Sequence, residues 1–158
     1  MSNAVAAASD AESQGGMRTL WAMPTRQAAC SCEQLRLTTE GDPVRISVCH
    51  CLACQRRTGS AFGVQARFPV ENVRVEGRYR EYVRISDAGE GGTFSFCPDC
   101  GATVFWSSED QPDLIAVAVG AFADPAFPRP WVSVWEKRRH AWLDLPTLDQ
   151  ASRHAHYD

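Results

Sequence analysis

From residue 33 onward, apolar and polar side chains alternate in short runs, the period of two expected of half-buried β-strands. "EQLRLTTE" (33–40) sets Leu35 and Leu37 on one face and turns at "GDP". Strands are predicted at "VRISV" (44–48), "SAFGVQARF" (60–68), "NVRVEG" (72–77) and "YREYVRIS" (79–86). "DAGEGG" (87–92) reads as a loop, followed by strands at "TFSF" (93–96) and "ATVFW" (102–106). "LIAVAVGAF" (114–122) reads as a buried strand, "WVSVW" (131–135) as another, and "AWLDL" (141–145) as a last one after His140. "LACQRRTG" (52–59) has room for a single helical turn ending at Gly59, and no amphipathic stretch reaches the length of a full helix. The pattern predicts one mostly β domain of short strands.

The chain has 158 residues, enough for one domain with its own core. The first 24 residues, rich in Ala, Ser and Gly, read as a disordered tail without a basic leader or a signal-peptide core. Met17 and Met23 both precede the first strong pattern, so translation starting at either would leave it intact. Residues 25–148 form the expected domain and 149–158 a polar C-terminal tail. The longest apolar run, 114–123, is too short to span a bilayer, so no membrane partner is expected. The absence of an export signal points to a reducing, cytoplasmic setting in which thiols stay free.

Seven cysteines fall in three groups: "CSC" (Cys30, Cys32), "CHCLAC" (Cys49, Cys51, Cys54) and "CPDC" (Cys97, Cys100). Scattered core thiols would not cluster in this way, and an odd count disfavours disulfides. Metal ligation is the reading, with zinc preferred over an iron–sulfur cluster because soft thiolates in C-x-x-C pairs are its usual frame. Seven divides as four plus three: four thiolates close a structural site and three leave a coordination position open. Spacing leaves the pairing undecided. Cys51 and Cys54 can join Cys97 and Cys100, or Cys30 and Cys32 can do so. The second option leaves Cys49, Cys51 and Cys54, which one tight turn can aim at a single ion. Deprotonating all seven thiols takes the formal charge from −3 to −10, and two Zn²⁺ return it to −6. That balance argues against a nucleic-acid partner.

"CSCEQLRL", "CHCLACQRRTGSAFG", "FCPDCGATVFW", "VAVGAFADP" and "W..RRHAWLDLP", in this order over about residues 28–146, resemble the glutathione-dependent formaldehyde-activating family, whose domain is shared with centromere protein V. The resemblance implies a Mss4-like "β-tent" of short antiparallel strands with two zinc ions. It implies that Cys30, Cys32, Cys97 and Cys100 hold a structural zinc and that Cys49, Cys51 and Cys54 hold a catalytic one. It further implies a carbon–sulfur lyase acting on an adduct of glutathione, or a similar thiol, with a small aldehyde, such as S-hydroxymethylglutathione. The alternative is a non-catalytic zinc module for partner binding, and a third reading is a zinc or redox buffer.

Around the open cluster, Arg56 and Arg57 are candidates for pairing with substrate carboxylates, although solvated loop residues are the expectation. His50, between two ligands, is expected to point away from the ion. His140, His154 and His156 read as non-catalytic, and Trp131, Trp135 and Trp142 as core or pocket wall, with core preferred. Gly59 and Gly101 are expected to permit the tight turns after the cysteine groups.

Overall fold

A computed structural model describes residues 23–87, 89–146, 148 and 152–156. The N-terminal tail expected over 1–24 lies, up to residue 22, outside the described residues, as do 149–151 and 157–158 of the C-terminal one. Among the described residues ten strands form two sheets. The smaller sheet has the order β1 (Thr25–Ala29), β2 (Arg36–Glu40), β5 (Val73–Glu76). The larger contains β3 (Arg45–Cys49), β4 (Gly63–Pro69), β6 (Arg80–Ile85), β7 (Gly91–Phe96), β8 (Thr103–Ser108), β9 (Gln111–Ala118) and β10 (Val132–Val134). Its order is β10-β3-β4-β9-β8-β7-β6. The mostly β expectation holds. All named strand pairings are antiparallel except β10 beside β3, which is parallel, with Val134 opposite Cys49.

The core lies where the two sheets face each other. Leu35 and Leu37 from the smaller sheet's side meet Ile46, Ala66, Phe68, Val104 and Val117 of the larger one, all fully buried. Each such large apolar side chain contributes about 1.5–3 kcal/mol by leaving water, so the alternation read along 33–40 translates directly into packing.

Several expectations are corrected. β1 went unread because "TRQAA" offers only Ala28 to the core; its register against β2 defines it. The buried run expected over 114–122 starts earlier, at Gln111, and leaves the sheet at Ala118. Residues Val119–Phe122 form a 3₁₀ turn closed by Ala123 at φ 49°, because β4 supplies a ladder partner only as far as Gln65 opposite Ala118. β7 extends back through Gly91 and Gly92 into the expected loop. A side chain at Gly91 would begin 2.4 Å from the Glu109 carboxyl group, which is why the pattern there carries no side chain to read. "AWLDL" is turn and irregular backbone, and Trp142 within it is 73% exposed. Residues 152–156 pack rather than trail: Arg153 bridges in parallel to Ser133, and the His154 N–H donates to the Ser133 carbonyl. Among the described residues no helix is long and apolar enough to cross a membrane.

Candidate metal centres

The sheets bring the seven sulfurs into two groups. Cys30, Cys32, Cys97 and Cys100 have ligand atoms all within 4.8 Å of one another, and so do Cys49, Cys51 and Cys54. Spacing had left the pairing open; here the "CSC" group meets the "CPDC" group.

The four-cysteine group is made by two knuckles. After β1 the chain reverses through Glu33 at φ 60°, with the Glu33 N–H donating to the Cys30 carbonyl and the Leu35 N–H to Cys30 Sγ. After β7 it reverses through Gly101 at φ 74°, a left-handed conformation that glycine adopts without steric cost. The Gly101 N–H closes the turn on the Cys97 carbonyl at 2.9 Å. Sulfur separations of 3.5 Å (Cys30 to Cys32) and 3.6 Å (Cys32 to Cys97) approach the roughly 3.8 Å edge of a tetrahedron with Zn–S bonds of about 2.3 Å. Burial pushes the Cys97 thiol up, but donors outweigh it: the Cys100 and Asp99 N–H groups and the Gln34 side-chain amide hold it down at about 6. Gln34 Nε2 lies 2.9 Å from Cys97 Sγ, while its Oε1 accepts from the Arg78 N–H. Spacing gave no signal for Gln34, which contacts the cluster from the turn before β2.

The three-cysteine group sits at a strand-to-helix junction. Cys49 ends β3, and Cys51 caps the helix α1 (Leu52–Thr58), its sulfur accepting the Cys54 N–H at 3.3 Å. α1 has seven residues rather than the single turn expected and ends at Gly59 with φ 64°. Hydrogen bonds from the Cys49 and Cys54 thiols, assisted by the Cys54 N–H and the charge of Arg84, outweigh burial and lower Cys51 to about 2. Its thiolate raises Cys49, whose proton it holds, and Cys54 is raised as well. Of the three, Cys51 is the sulfur placed to ionise first, with its two cysteine neighbours donating to it. Among the described residues no fourth Cys, His, Asp or Glu ligand atom joins it. Both donor sets, all sulfur and partly buried, fit a soft divalent ion.

His50 turns away from this cluster. Its ring is fully buried, edge-on to Phe62, with Nε2 3.2 Å from Ser133 Oγ and 3.7 Å from Glu136 Oε1. Burial lowers its pKa against the pull of Glu136, so the ring is neutral at pH 7. Glu136 is itself held by Arg139 at 2.9 Å and Arg153 at 3.5 Å. Gln55 ties α1 to the same region: its amide donates to the His50 and Arg138 carbonyls, and its oxygen faces His140 Nε2 at 3.0 Å. His156 stands edge-on to Trp135 and beside Lys137.

Two concavities meet at the trio. A shallow one of about 100 Å³ includes Cys49, Cys51, Cys54, Trp106 and Trp135, and a larger one of about 580 Å³ runs from Cys54 past Arg56, Arg57, Arg84 and Phe94. Trp131 and Trp142 are neither core nor wall of the cavities at the trio, being 42% and 73% exposed, whereas Trp135 takes the pocket-wall alternative at a left-handed φ of 59°. Trp106, which sequence reasoning did not single out, is buried.

A sequence profile of the family described as glutathione-dependent formaldehyde-activating enzyme matches residues 25–138. No curated protein matches the chain. Among solved structures, the crystal structure of a Rhodobacter sphaeroides protein, a structural-genomics target, is similar at 19% identity and a TM-score of 0.50, covering 63% of this chain and 91% of that one. At that identity the likeness speaks to the fold alone.

Proposed function

This chain belongs to the glutathione-dependent formaldehyde-activating enzyme family, and we propose that it is a zinc-dependent carbon–sulfur lyase acting on the adduct of a low-molecular-weight thiol, glutathione or a close relative, with a small aldehyde. The observation that supports this reading is the incomplete donor set: three sulfurs within 4.8 Å, no fourth protein ligand among the described residues, beside a cavity of about 580 Å³. That volume is in the range of small-molecule sites, about 300–1,000 Å³.

On this reading Cys30, Cys32, Cys97 and Cys100 hold a structural zinc, and Cys49, Cys51 and Cys54 hold the second, catalytic one. Zinc bound by three thiolates supplies weak Lewis acidity but keeps an incoming thiol deprotonated. With the substrate thiol as its thiolate, the carbon–sulfur bond forms between that sulfur and the aldehyde carbon, and the aldehyde oxygen takes up a proton. The reverse reaction breaks the same bond and releases thiol and aldehyde. The chain's part is to hold the thiol and supply positive charge from Arg57 and Arg84 beside a site that becomes more anionic as the thiolate enters. A reducing, cytoplasmic setting suits seven free thiols.

The test is the exchange rate between thiol, formaldehyde and adduct, measured by NMR with and without protein. Cys49→Ser, Cys51→Ser and Cys54→Ser are each expected to lose one metal ion per chain and return the exchange to its spontaneous rate. Turnover retained in these variants overturns the reading. The competing reading, a non-catalytic module, draws on the edge strand β6, where Tyr82, Val83 and Ile85 are each more than 60% exposed; a wild-type protein that never exceeds the spontaneous rate would favour it.

A further inference from the structure

Arg57 interacts electrostatically with Cys54 of the open cluster but has no carboxylate partner among the described residues. Its guanidinium carbon stands 4.4 Å from the centre of the Trp106 ring and 5.8 Å from that of Phe94, an arrangement that fixes its plane. Nε and Nη2 are buried with no hydrogen-bond partner, and among the described residues no carboxylate pairs with it. Other arginines are matched: Arg26 with Asp42, Arg78 with Asp99, Arg139 and Arg153 with Glu136. Desolvating a guanidinium without compensation costs free energy, so a fold that holds one in place leaves a demand for an anion.

Its location says which anion. Arg57 follows Cys54 by three residues on α1, one turn along the same face. A side chain built at Gly63 would begin 3.2 Å from Arg57 Nη2 and 3.4 Å from Cys54 Cβ, so the arginine and the cysteine are near neighbours across that glycine. Arg57 also lines the cavity of about 580 Å³ that starts at Cys54. Arg84, which lines the same cavity and also stands over the Phe94 ring, adds a second positive charge, and its acid neighbour Asp87, 3.9 Å away, is also engaged by Arg138. Arg56, the other candidate from the sequence, is exposed and solvated.

We propose that Arg57 anchors a carboxylate of the thiol substrate, so that the protein selects carboxylate-bearing thiols over neutral ones. The inference rests on reading the three-cysteine cluster as a thiol site. A ligand with its sulfur at the cluster and a carboxylate several bonds away reaches the guanidinium, which offers it a charge-assisted hydrogen bond.

The experiment is calorimetric titration of the metal-loaded protein with S-methylglutathione, which keeps both carboxylates but has no thiol, and with its diester. The free acid should bind at least about tenfold more tightly than the diester, the scale of a charge-assisted pair. R57Q should reduce that preference to about twofold or less, R57K should retain part of it, and R74Q, at a position on β5 that does not line the cavity, should leave it unchanged. Equal affinity for acid and diester in the wild type, no binding of either, or a full preference in R57Q overturns the proposal; the wild-type comparison stands even if R57Q fails to fold. The two readings fail separately. A carboxylate preference without catalysed thiol–aldehyde exchange sinks the lyase and keeps the anchor, whereas exchange without preference sinks the anchor alone.

Discussion

The imidazole of His50 lies 3.2 Å from the hydroxyl of Ser133, a hydrogen bond joining positions 83 residues apart. One end sits between two cysteines of the open cluster and the other on β10, the strand that runs parallel to β3. Ser133 passes the bond on to Glu136, which Arg139 and Arg153 hold. This buried chain, not a metal bond, is what His50 does in the fold.

His50→Ala should therefore act on stability. It opens a cavity against Phe62 and leaves Ser133 and Glu136 short of a partner, a loss of about 2–4 kcal/mol. Thermal denaturation should show a drop of several degrees in Tm, while metal analysis still finds two ions per folded chain. A loss of one ion with unchanged Tm would instead make His50 a ligand.

Metal binding at the trio should release about two protons, not three. Cys51 is already a thiolate, while Cys49 and Cys54 are raised and keep their protons near neutrality. Protons compete with the metal, so affinity rises with pH and is lost on acidification. Competition against a chromophoric chelator should give log K against pH a slope of about two between roughly pH 5 and 8 for this site.

Gln34→Ala should weaken the four-cysteine site without touching a ligand. It removes the amide that donates to Cys97 Sγ at 2.9 Å. Outer-sphere partners of this kind are worth roughly 10–100-fold in metal affinity. Chelator titration should show the metal lost earlier from this site and unchanged release from the other.

Gly77→Ala should be the most damaging of the small changes. Gly77 has φ 93°, and a Cβ there would fall 1.9 Å from the Gln34 carbonyl oxygen, a backbone atom that cannot swing aside. The clash and the strained φ together should cost more than about 2 kcal/mol and shift Gln34 from Cys97. Urea denaturation reads the first effect and metal affinity the second.

Mild chelation should distinguish the two centres. The trio adjoins the cavity of about 580 Å³, whereas the four-cysteine group joins two turns that are distant in sequence. The first metal removed should leave the circular-dichroism spectrum intact, and the second should unfold the chain.

The sequence by itself determined what is local. Alternation placed Leu35, Leu37 and the strands around them, because side-chain direction in a strand depends only on the neighbouring residues. The cysteine spacings marked three sulfur groups, because C-x-C and C-x-x-C bring ligands together within one turn, and Gly59 and Gly101 adopt the left-handed conformation expected of them. Tertiary structure decided what depends on register between distant strands. It brought Cys30 and Cys32 to Cys97 and Cys100, turned His50 toward Ser133, set Gln34 on a sulfur, and stacked Arg57 on Trp106. These groups sit at strand ends, in turns and on α1, so their positions follow from the register of the ladders that carry them, and nothing within a short window of sequence fixes that register.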